Sequence, residues 1–462
     1  MSAERAGNSA NNRNVLLKGG RLINPSNGAQ APKSSLLNNQ IVDVRVKDGM
    51  IAEISSNLDA RDDEITFDAS GLMVLPGFID LHTHLRDLGQ SDREDIRTGT
   101  LAAAAGGFTT VVAMANTEPP TDCADILGRV LKRIQERAVI EVLPVANVTR
   151  GMAGSELTNM VELAEMGAIA FSDDGKPISN LGVLRRALEY AKLADRPIIS
   201  HPEDMDLSHG GSMNESPFAT GCGIKGIPTA SEAACVAREI EVVRFVGGRL
   251  HFAHISAAAS VDLIRQAKAQ GLAVSADATP HHLVLADEDI PDYDTAYKMN
   301  PPLRSRHDQA AVLKALEEGV IDAIATDHAP HSKLDKSKPF DQAPFGIIGL
   351  ETAFPLLFEK LVLSGKMPPP AFIALLTSHP ASIIKRECPM IATGQKANLA
   401  IVDTELRWHY DVNRSQSKSR NSPFDGKPLR SKIIATFYRG RMVHVDQEHA
   451  ARRCELSALS CV

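Results

Sequence analysis

Three side chains with metal-binding or acid–base chemistry, Asp80, His82 and His84, occupy alternate positions in the stretch 76–86. This stretch is typical of the end of a β-strand, where alternate side chains share one face and the apolar residues between them share the other. Neutral imidazole is the usual nitrogen ligand of zinc, and ligands carried on a strand are held rigidly. Two hydrogen-bonded histidines at a strand end would have the same spacing. The motif by itself therefore indicates a metal site without establishing one.

Polar residues of the same kind end several other predicted strands. From residue 76 onward a strand-like run is followed by a helix-like run, and this unit repeats. The predicted strands end at His84, Asn116, Asn147, Asp174, His201, His254, Thr279 and Asp327. Helical periodicity lies between them, as in residues 96–105, 124–137, 181–193, 231–246 and 257–270.

Eight such units predict an α/β fold with a closed parallel (β/α)₈, or TIM, barrel that carries its reactive residues at the carboxyl ends of the strands. A doubly wound open sheet would show the same local pattern. The count of eight and the reactive residues at so many strand ends favour the barrel.

Strand-like segments also flank the barrel, at residues 15–23, 41–46 and 50–54 before it and at 397–403 and 433–445 after it. They predict a small discontinuous β-sandwich domain made of residues 15–75 and 388–446, with the barrel spanning residues 76–387. We expect residues 1–14 to be a disordered tail and 447–462 a C-terminal tail. Residues 24–40 have the composition of a long loop of unknown role.

Composition narrows the classes of function. The chain has 462 residues, 43% of them hydrophobic, and a net charge of −7 with dispersed positive residues. This argues against nucleic-acid binding and favours a small-molecule substrate. No apolar run approaches the roughly 20 residues of a membrane span. The N-terminal residues lack the apolar core of a secretory signal, and the six cysteines lack paired spacing. We therefore expect a cytoplasmic protein with reduced thiols that does not associate with membranes.

The strand ends would bring four histidines and at least two carboxylates to one rim of the barrel. Protonated imidazoles in one place would repel each other, and neutral ones would be poorly solvated, unless a cation organises them. Imidazole and carboxylate ligands suit zinc or a similar divalent ion, in one or two sites. At the fourth strand end either Asp173 or Asp174 could serve.

The order of several motifs is similar to that of the class I dihydroorotases of the amidohydrolase superfamily. The likeness runs from about residue 15 to 445. The first motif is the stretch 76–86, whose final arginine is typical of that family. The others are residues 106–112 with 116–117, 170–175, 279–283, 298–304, 325–331 and 344–351.

This resemblance implies two metal positions that share a carboxylate. His82, His84 and Asp327 would bind the more buried ion, and His201 and His254 the second. Asp174 would lie between them, where many relatives have a carboxylated lysine, and Asp173 would be a neighbouring hydrogen-bonding residue. The implied metal ligands are His82, His84, Asp174, His201, His254 and Asp327. The implied cofactor is Zn²⁺, one or two ions per subunit.

The resemblance also implies a pocket for a substrate that carries a carboxylate. Arg86 would bind that carboxylate, which a planar guanidinium can do through two hydrogen bonds. The implied substrate contacts are Arg86, Asn116, Asn300, His331, Pro344, Phe345 and Gly346. We expect only structural hydrogen bonding from His281 and His282. We expect the His328 side chain to point away from the ligand side of its strand and to act only indirectly. We expect His251 to take no part in metal binding.

The implied reaction is the reversible zinc-dependent hydrolysis of L-dihydroorotate to N-carbamoyl-L-aspartate in pyrimidine (UMP) biosynthesis. Asp327 would accept the proton of the attacking water and pass it to the departing ring nitrogen. One alternative is a related cyclic amidase, such as a dihydropyrimidinase, hydantoinase or allantoinase, in which a lysine is usual near the fourth strand end. Another is a non-catalytic dihydroorotase-like partner of aspartate transcarbamoylase, which would be expected to have lost ligands.

Several properties stay open at this point. They are the number and identity of the metals, any need for a transcarbamoylase partner, and the oligomeric state, for which a homodimer is expected.

Overall fold

The computed structural model describes residues 14–26, 38–450 and 453. Most of the predicted N-terminal tail, residues 27–37 of the predicted loop, and most of the predicted C-terminal tail lie outside the described residues. Asn14, which the prediction assigned to the tail, begins a β-strand, and Gln447–Ala450 form one turn of helix.

Eight parallel strands form the predicted barrel, each paired with the next along the chain. They are Phe78–Thr83, Phe108–Ala113, Glu141–Ala146, Ala170–Phe171, Ile198–Ser200, Leu250–Phe252, Val274–Ala278 and Ala323–Ile324.

The first and last of these strands meet. Thr83 forms a parallel bridge with His328, and the Asp80 carboxylate accepts hydrogen bonds from the Thr326 backbone N–H at 2.9 Å and from its hydroxyl at 2.5 Å. The sheet is therefore closed, as predicted, and is not a doubly wound open sheet.

Helices cover the outside of the barrel. The longer ones are Ile96–Ala105, Ala124–Arg137, Met160–Met166, Leu181–Leu193, Thr229–Val246, Ala258–Ala269, Arg306–Glu317, Leu350–Leu357 and Pro369–Leu376. The first shows why these segments are helical. Asp95 caps its N-terminus by accepting a 3.0 Å hydrogen bond from the Thr98 backbone N–H, and Gly107, with φ of 86°, follows its end. Apolar residues of these helices and of the strands share one large buried core.

A second sheet joins the two ends of the chain. Its strands are Asn14–Leu22, Ile41–Lys47, Met50–Ser55, Glu64–Asp68 and Met73–Pro76 from the N-terminal part, and Leu399–His409, Pro428–Tyr438 and Arg441–Val445 from the C-terminal part. The two parts meet where Met73–Pro76 pairs antiparallel with Leu399–His409.

This sheet folds over its own hydrophobic core, in which the rings of Phe67 and Phe437 meet edge to face at 6.3 Å although their strands are not neighbours. The predicted discontinuous β-sandwich domain is therefore confirmed, while its limits at residues 75/76 and 387/388 stay a prediction.

Two further features of the architecture bear on function. Between the long strands Leu399–His409 and Pro428–Tyr438, the chain leaves the second sheet and reaches the rim of the barrel. Among the described residues, no helix has both the length and the apolar character needed to cross a membrane.

Candidate metal centre and substrate pocket

The six predicted metal ligands converge at the carboxyl ends of the barrel strands, and all six are buried. The first group is formed by His82, His84 and Asp327. The Asp327 Oδ1 atom lies 3.1 Å from His84 Nε2 and 3.5 Å from His82 Nε2. One strand therefore supplies two imidazoles, and the eighth strand supplies the carboxylate that faces them.

Asp174 lies in the middle of the cluster. Its Oδ1 atom is 3.5 Å from His82 Nε2, 3.6 Å from His201 Nδ1 and 3.9 Å from His254 Nε2, while its Oδ2 atom is 3.5 Å from His84 Nε2. The two remaining histidines face each other, with His201 Nδ1 3.0 Å from His254 Nε2. Asp174 therefore adjoins all four histidines.

Asp173 points away from this cluster. Its carboxylate accepts hydrogen bonds from the backbone N–H of Val148 at 2.9 Å and of Thr149 at 3.2 Å, and from the Thr149 hydroxyl. It fixes the loop after the third barrel strand. Of the two candidate carboxylates, only Asp174 faces the histidines.

The donor atoms suit a divalent cation. His82, His84 and Asp327 form one group, and His82, Asp174 and His254 another, whose potential ligand atoms lie within 4.8 Å of one another. Both ring nitrogens of His82 are buried and have no hydrogen-bond partner among the described residues. Because buried polar atoms are nearly always paired, such a ring in a set of imidazoles and carboxylates fits a metal ligand.

The charges of the cluster are strongly coupled. Burial opposes protonation of His82, but the carboxylates of Asp174 and Asp327 outweigh it and raise the pKa of this histidine to about 9. Burial also opposes ionisation of the two carboxyls. The surrounding histidines, His82 foremost, nevertheless hold the pKa of each well below its usual value. Both carboxylates are therefore ionised at neutral pH.

A layer of hydrogen bonds orients the ligands. Asn116, predicted as a substrate contact, accepts at Oδ1 from His84 Nδ1 at 2.9 Å and donates to Asp174 Oδ2 at 3.1 Å. Asn300, another predicted contact, donates at 2.9 Å to Glu203 Oε2, which also lies 2.9 Å from His201 Nε2. Asn116 therefore bonds to two predicted metal ligands, and Asn300 bonds to the carboxylate that holds a third, His201.

Glu203 is a candidate functional residue that the sequence analysis did not predict. It is 7% exposed. Burial raises its pKa, but the hydrogen bond and charge of His201, together with hydrogen bonds from Ser208 and Asn300, outweigh burial and lower the pKa to about 2. By fixing Nε2 of His201, it turns Nδ1 towards Asp174. The available signal was its position two residues after a predicted ligand, in the run His201-Pro202-Glu203-Asp204.

Arg86 and His331 lie together at one end of the predicted substrate pocket, here called the cationic end because Arg86 is charged. Arg86 Nη2 lies 3.4 Å from His331 Nε2, and that nitrogen lies 2.7 Å from the Phe345 carbonyl oxygen, to which it donates. Burial lowers the pKa of Arg86 to about 10, so the guanidinium stays charged near neutral pH. The other ring nitrogen of His331, Nδ1, is buried and has no partner among the described residues. It is available to a ligand.

The predicted backbone contacts lie beside this cationic end and are tightly held. Gly346 has φ of 133°, and a Cβ there would lie 2.8 Å from the Ala329 carbonyl oxygen, so no other residue fits without strain. Lys336 donates to the Pro344 carbonyl at 2.9 Å, and the Lys298 ammonium lies 4.6 Å from the centre of the Phe345 ring. Neither lysine was singled out in the sequence.

The remaining histidines of the motifs have mixed outcomes. His282 is bonded as expected, to the Thr279 hydroxyl at 2.7 Å and the Pro301 carbonyl at 3.0 Å. His281 differs from expectation, because its buried Nε2 has no partner among the described residues. His328 lies behind the site against Glu94 at 3.4 Å, and His251 bonds to Asp277 at 2.8 Å.

Comparison with known proteins gives a consistent result. A family model described as "Dihydro-orotase-like" matches residues 71–260. A dihydroorotase from Syntrophobacter fumaroxidans is 42% identical over 433 residues, covering 93% of this chain and 96% of its own length. A dihydroorotase from Pelotomaculum thermopropionicum is 43% identical, covering 94% of this chain and 99% of its own.

Solved structures share the architecture at lower identity. The L-hydantoinase (dihydropyrimidinase) from Arthrobacter aurescens superposes with a TM-score of 0.82 at 25% identity, covering 93% of this chain and 95% of its own. A dihydropyrimidinase from Brevibacillus agri has a TM-score of 0.79 at 23% identity, covering 93% and 94%. These similarities establish a common fold of barrel and β-domain.

Proposed function

The chain belongs to the dihydroorotase family, and from this premise we propose that it catalyses the reversible hydrolysis of L-dihydroorotate to N-carbamoyl-L-aspartate. The observation that carries the proposal is the position of the Arg86–His331 pair beside a six-residue set of metal ligands. A substrate of this kind has both a cyclic amide to be hydrolysed and a carboxylate to be bound. The predicted metal ligands are suited to the first, and the charged guanidinium of Arg86, with His331 beside it, is suited to the second.

We propose Zn²⁺ as the cofactor, in one or two ions per subunit. His82, His84 and Asp327 would hold one ion, His201 and His254 the other, and Asp174 would contact both. When bound, such an ion supplies Lewis-acid polarisation of the amide carbonyl and acidifies the attacking water. The four imidazoles that lie around the carboxylates of Asp174 and Asp327 support this assignment.

The proton transfers are proposed for Asp327. Its pKa is held well below the usual value by His82 and His84, so it is ionised at neutral pH and can accept the proton of the attacking water. It would then give that proton to the ring nitrogen as the C–N bond breaks. In the direction of ring closure, Asp327 would take the proton from the carbamoyl nitrogen and return it to the departing water.

The other predicted residues would orient the ring. Arg86 would bind the carboxylate through two hydrogen bonds, with Nδ1 of His331 beside it. Asn116 and Asn300 would contact the same ligand from the layer that also orients the metal ligands. The backbone of residues 344–346 would meet the pyrimidine ring, and the absence of a side chain at Gly346 permits the close approach.

A related cyclic amidase is the competing assignment, since hydantoinases and dihydropyrimidinases share the fold. Two observations favour dihydroorotate. Asp174 stands where those enzymes usually have a lysine, and the Arg86–His331 pair has no purpose for a substrate without a carboxylate. The non-catalytic alternative is disfavoured because every expected ligand is present and faces the cluster.

The experiment is an assay of ring opening by the purified, zinc-loaded protein. L-Dihydroorotate is compared with hydantoin, dihydrouracil and allantoin, and metal content is determined on the same sample. We expect turnover of dihydroorotate alone. Turnover of a carboxylate-free ring in its place would refute the assignment. If the zinc-loaded protein hydrolyses none of the four compounds, even with aspartate transcarbamoylase added, the proposal that it is an enzyme of this class is refuted.

Three further properties are proposed from the family alone: a homodimer, an association with aspartate transcarbamoylase in addition to catalysis, and a cytoplasmic location. Size measurement by light scattering, with and without transcarbamoylase, tests the first two. Cell fractionation tests the third.

A further inference from the structure

A segment of the second sheet's domain reaches the substrate pocket. Residues 415–421, here called the strap, follow the long strand Leu399–His409 and alternate between buried and exposed positions. Buried Ser417 and Ser419 bond to the loop before the first barrel helix, through the Glu94 carboxylate and through the Arg93 carbonyl at 2.7 Å. The strap is thus anchored on the barrel rim.

The last residue of the strap, Asn421, bonds to the backbone of His331, at the cationic end of the pocket, and to backbone groups close to it. Its Oδ1 accepts the backbone N–H of His331 at 3.2 Å. Its Nδ2 donates to the carbonyl oxygens of Ala329 at 3.1 Å and Gly346 at 3.0 Å. Its own carbonyl accepts the backbone N–H of Ile348 at 2.9 Å. One side chain, 6% exposed, therefore joins the two backbone stretches that carry the predicted substrate contacts.

We propose that Asn421 is a positioning residue, supplied by the β-sandwich domain, that sets the distance between His331 and Gly346 for substrate binding. The inference rests on the proposed function, since it concerns how that substrate is held. Among the described residues, the Asn421 side chain makes no hydrogen bond to a predicted metal ligand. Its loss should therefore weaken substrate binding and leave the metal centre intact.

The amide of asparagine is specifically required at this point. The side-chain oxygen must accept one hydrogen bond and the side-chain nitrogen must donate two. An amide can do both, whereas a carboxylate can only accept. In Asn421→Asp the acceptor for His331 is retained, but a charged oxygen replaces the nitrogen that faces two carbonyl oxygens. The stretches around Ala329 and Gly346 would then be repelled at a place where they pack closely.

The test compares Asn421→Asp and Asn421→Ser with Asn413→Asp, all in the full-length, zinc-loaded protein. Asn413 lies just before the strap, is exposed, and its side chain bonds only to Asp411 among the described residues, so it is a matched control. The measurements are KM and kcat for L-dihydroorotate, the dissociation constant of N-carbamoyl-L-aspartate by calorimetry, zinc content, and the midpoint of thermal unfolding.

We expect both Asn421 variants to raise KM and the dissociation constant by about 10- to 100-fold, the loss that follows from leaving buried partners unpaired. We expect kcat within about threefold of the unaltered protein, and zinc content unchanged, because the chemistry lies elsewhere. Asn421→Ser tests the same point without an added charge, should the aspartate prevent folding.

Unchanged KM and dissociation constant in both folded variants would overturn the proposal. So would a parallel fall in zinc content and kcat at constant KM, which would show that the strap supports the metal centre instead. If the unaltered protein and Asn413→Asp hydrolyse no dihydroorotate even with aspartate transcarbamoylase added, the proposed function has failed. The calorimetric comparison then still decides whether Asn421 sets ligand affinity.

Discussion

Replacement of Glu203 tests whether His201 is held for metal binding by a carboxylate behind it. The Glu203 Oε2 atom accepts hydrogen bonds from both His201 Nε2 and Asn300 Nδ2, each at 2.9 Å. In Glu203→Gln a neutral carbonyl oxygen can accept the same two bonds, so the geometry is retained and only the charge is lost. In Glu203→Ala the buried His201 ring and the half-buried Asn300 amide both lose this acceptor.

The expected losses follow from these differences. A hydrogen bond to a charged group contributes about 1.5–3 kcal/mol and a neutral one about 0.5–1.5 kcal/mol, so the Gln variant should lose about 1–1.5 kcal/mol, roughly tenfold in metal affinity. The Ala variant adds the cost of unpaired donors and should lose roughly 100-fold. Both values lie in the range known for groups that orient metal ligands, about 10- to 100-fold.

The assay is zinc competition with a chromophoric chelator, followed by metal analysis after dialysis. Because His201 is the one predicted metal ligand to which Glu203 bonds among the described residues, the ion held by His82 and His84 should be retained. Glu215→Gln, at an exposed position, is the control and should bind zinc as the unaltered protein does. Affinities within twofold of the control in both Glu203 variants would refute this role.

Four other outcomes are expected. Asp327→Asn should keep the fold but lower kcat by roughly 10²- to 10⁴-fold, the usual contribution of a general base, and a normal rate would remove Asp327 from that role. Metal removal by a chelator should abolish turnover but change the thermal unfolding midpoint little, because the barrel core packs without the ion. A large shift of the midpoint would show that the metal stabilises the fold. Gly346→Ala should lower the free energy of unfolding by about 1–3 kcal/mol, measured in urea, and should raise KM. The reason is that the new Cβ would lie 2.8 Å from the Ala329 carbonyl oxygen, in a positive-φ conformation. Wild-type stability of this variant would argue against that contact. Burial, with Arg86 nearby, lowers the pKa of His331 from 6.5 to about 3, so the unfolded state binds the proton first as pH falls. Stability should therefore decline from pH 6.5 downward by up to about 1.4 kcal/mol per pH unit, and denaturant titrations at pH 7 and 5 should show a smaller decline in His331→Asn.

The sequence by itself determined the barrel and most of the candidate metal ligands. The alternation of strand and helix is a local pattern, because side-chain period and capping depend on neighbouring residues, and the helices at 96–105, 124–137 and 181–193 have the predicted limits. The histidines could be recognised because each ends a strand, and parallel strands of a closed barrel end at one rim. The strands Glu64–Asp68 and Met73–Pro76 of the second sheet were not predicted as separate strands.

Only the tertiary structure decided which polar groups pair with which. Asp173 and Asp174 are adjacent and chemically identical, and they differ because Val148 and Thr149, on another loop, bind the first. Asn421 is 90 residues from His331 in sequence and touches its backbone. Such pairings depend on the closing of the barrel and on the return of the chain from the second sheet, which bring distant residues to one place. Local sequence patterns do not predict those contacts. The free energy that selects the contacts comes from burial and hydrogen bonding between remote parts of the chain.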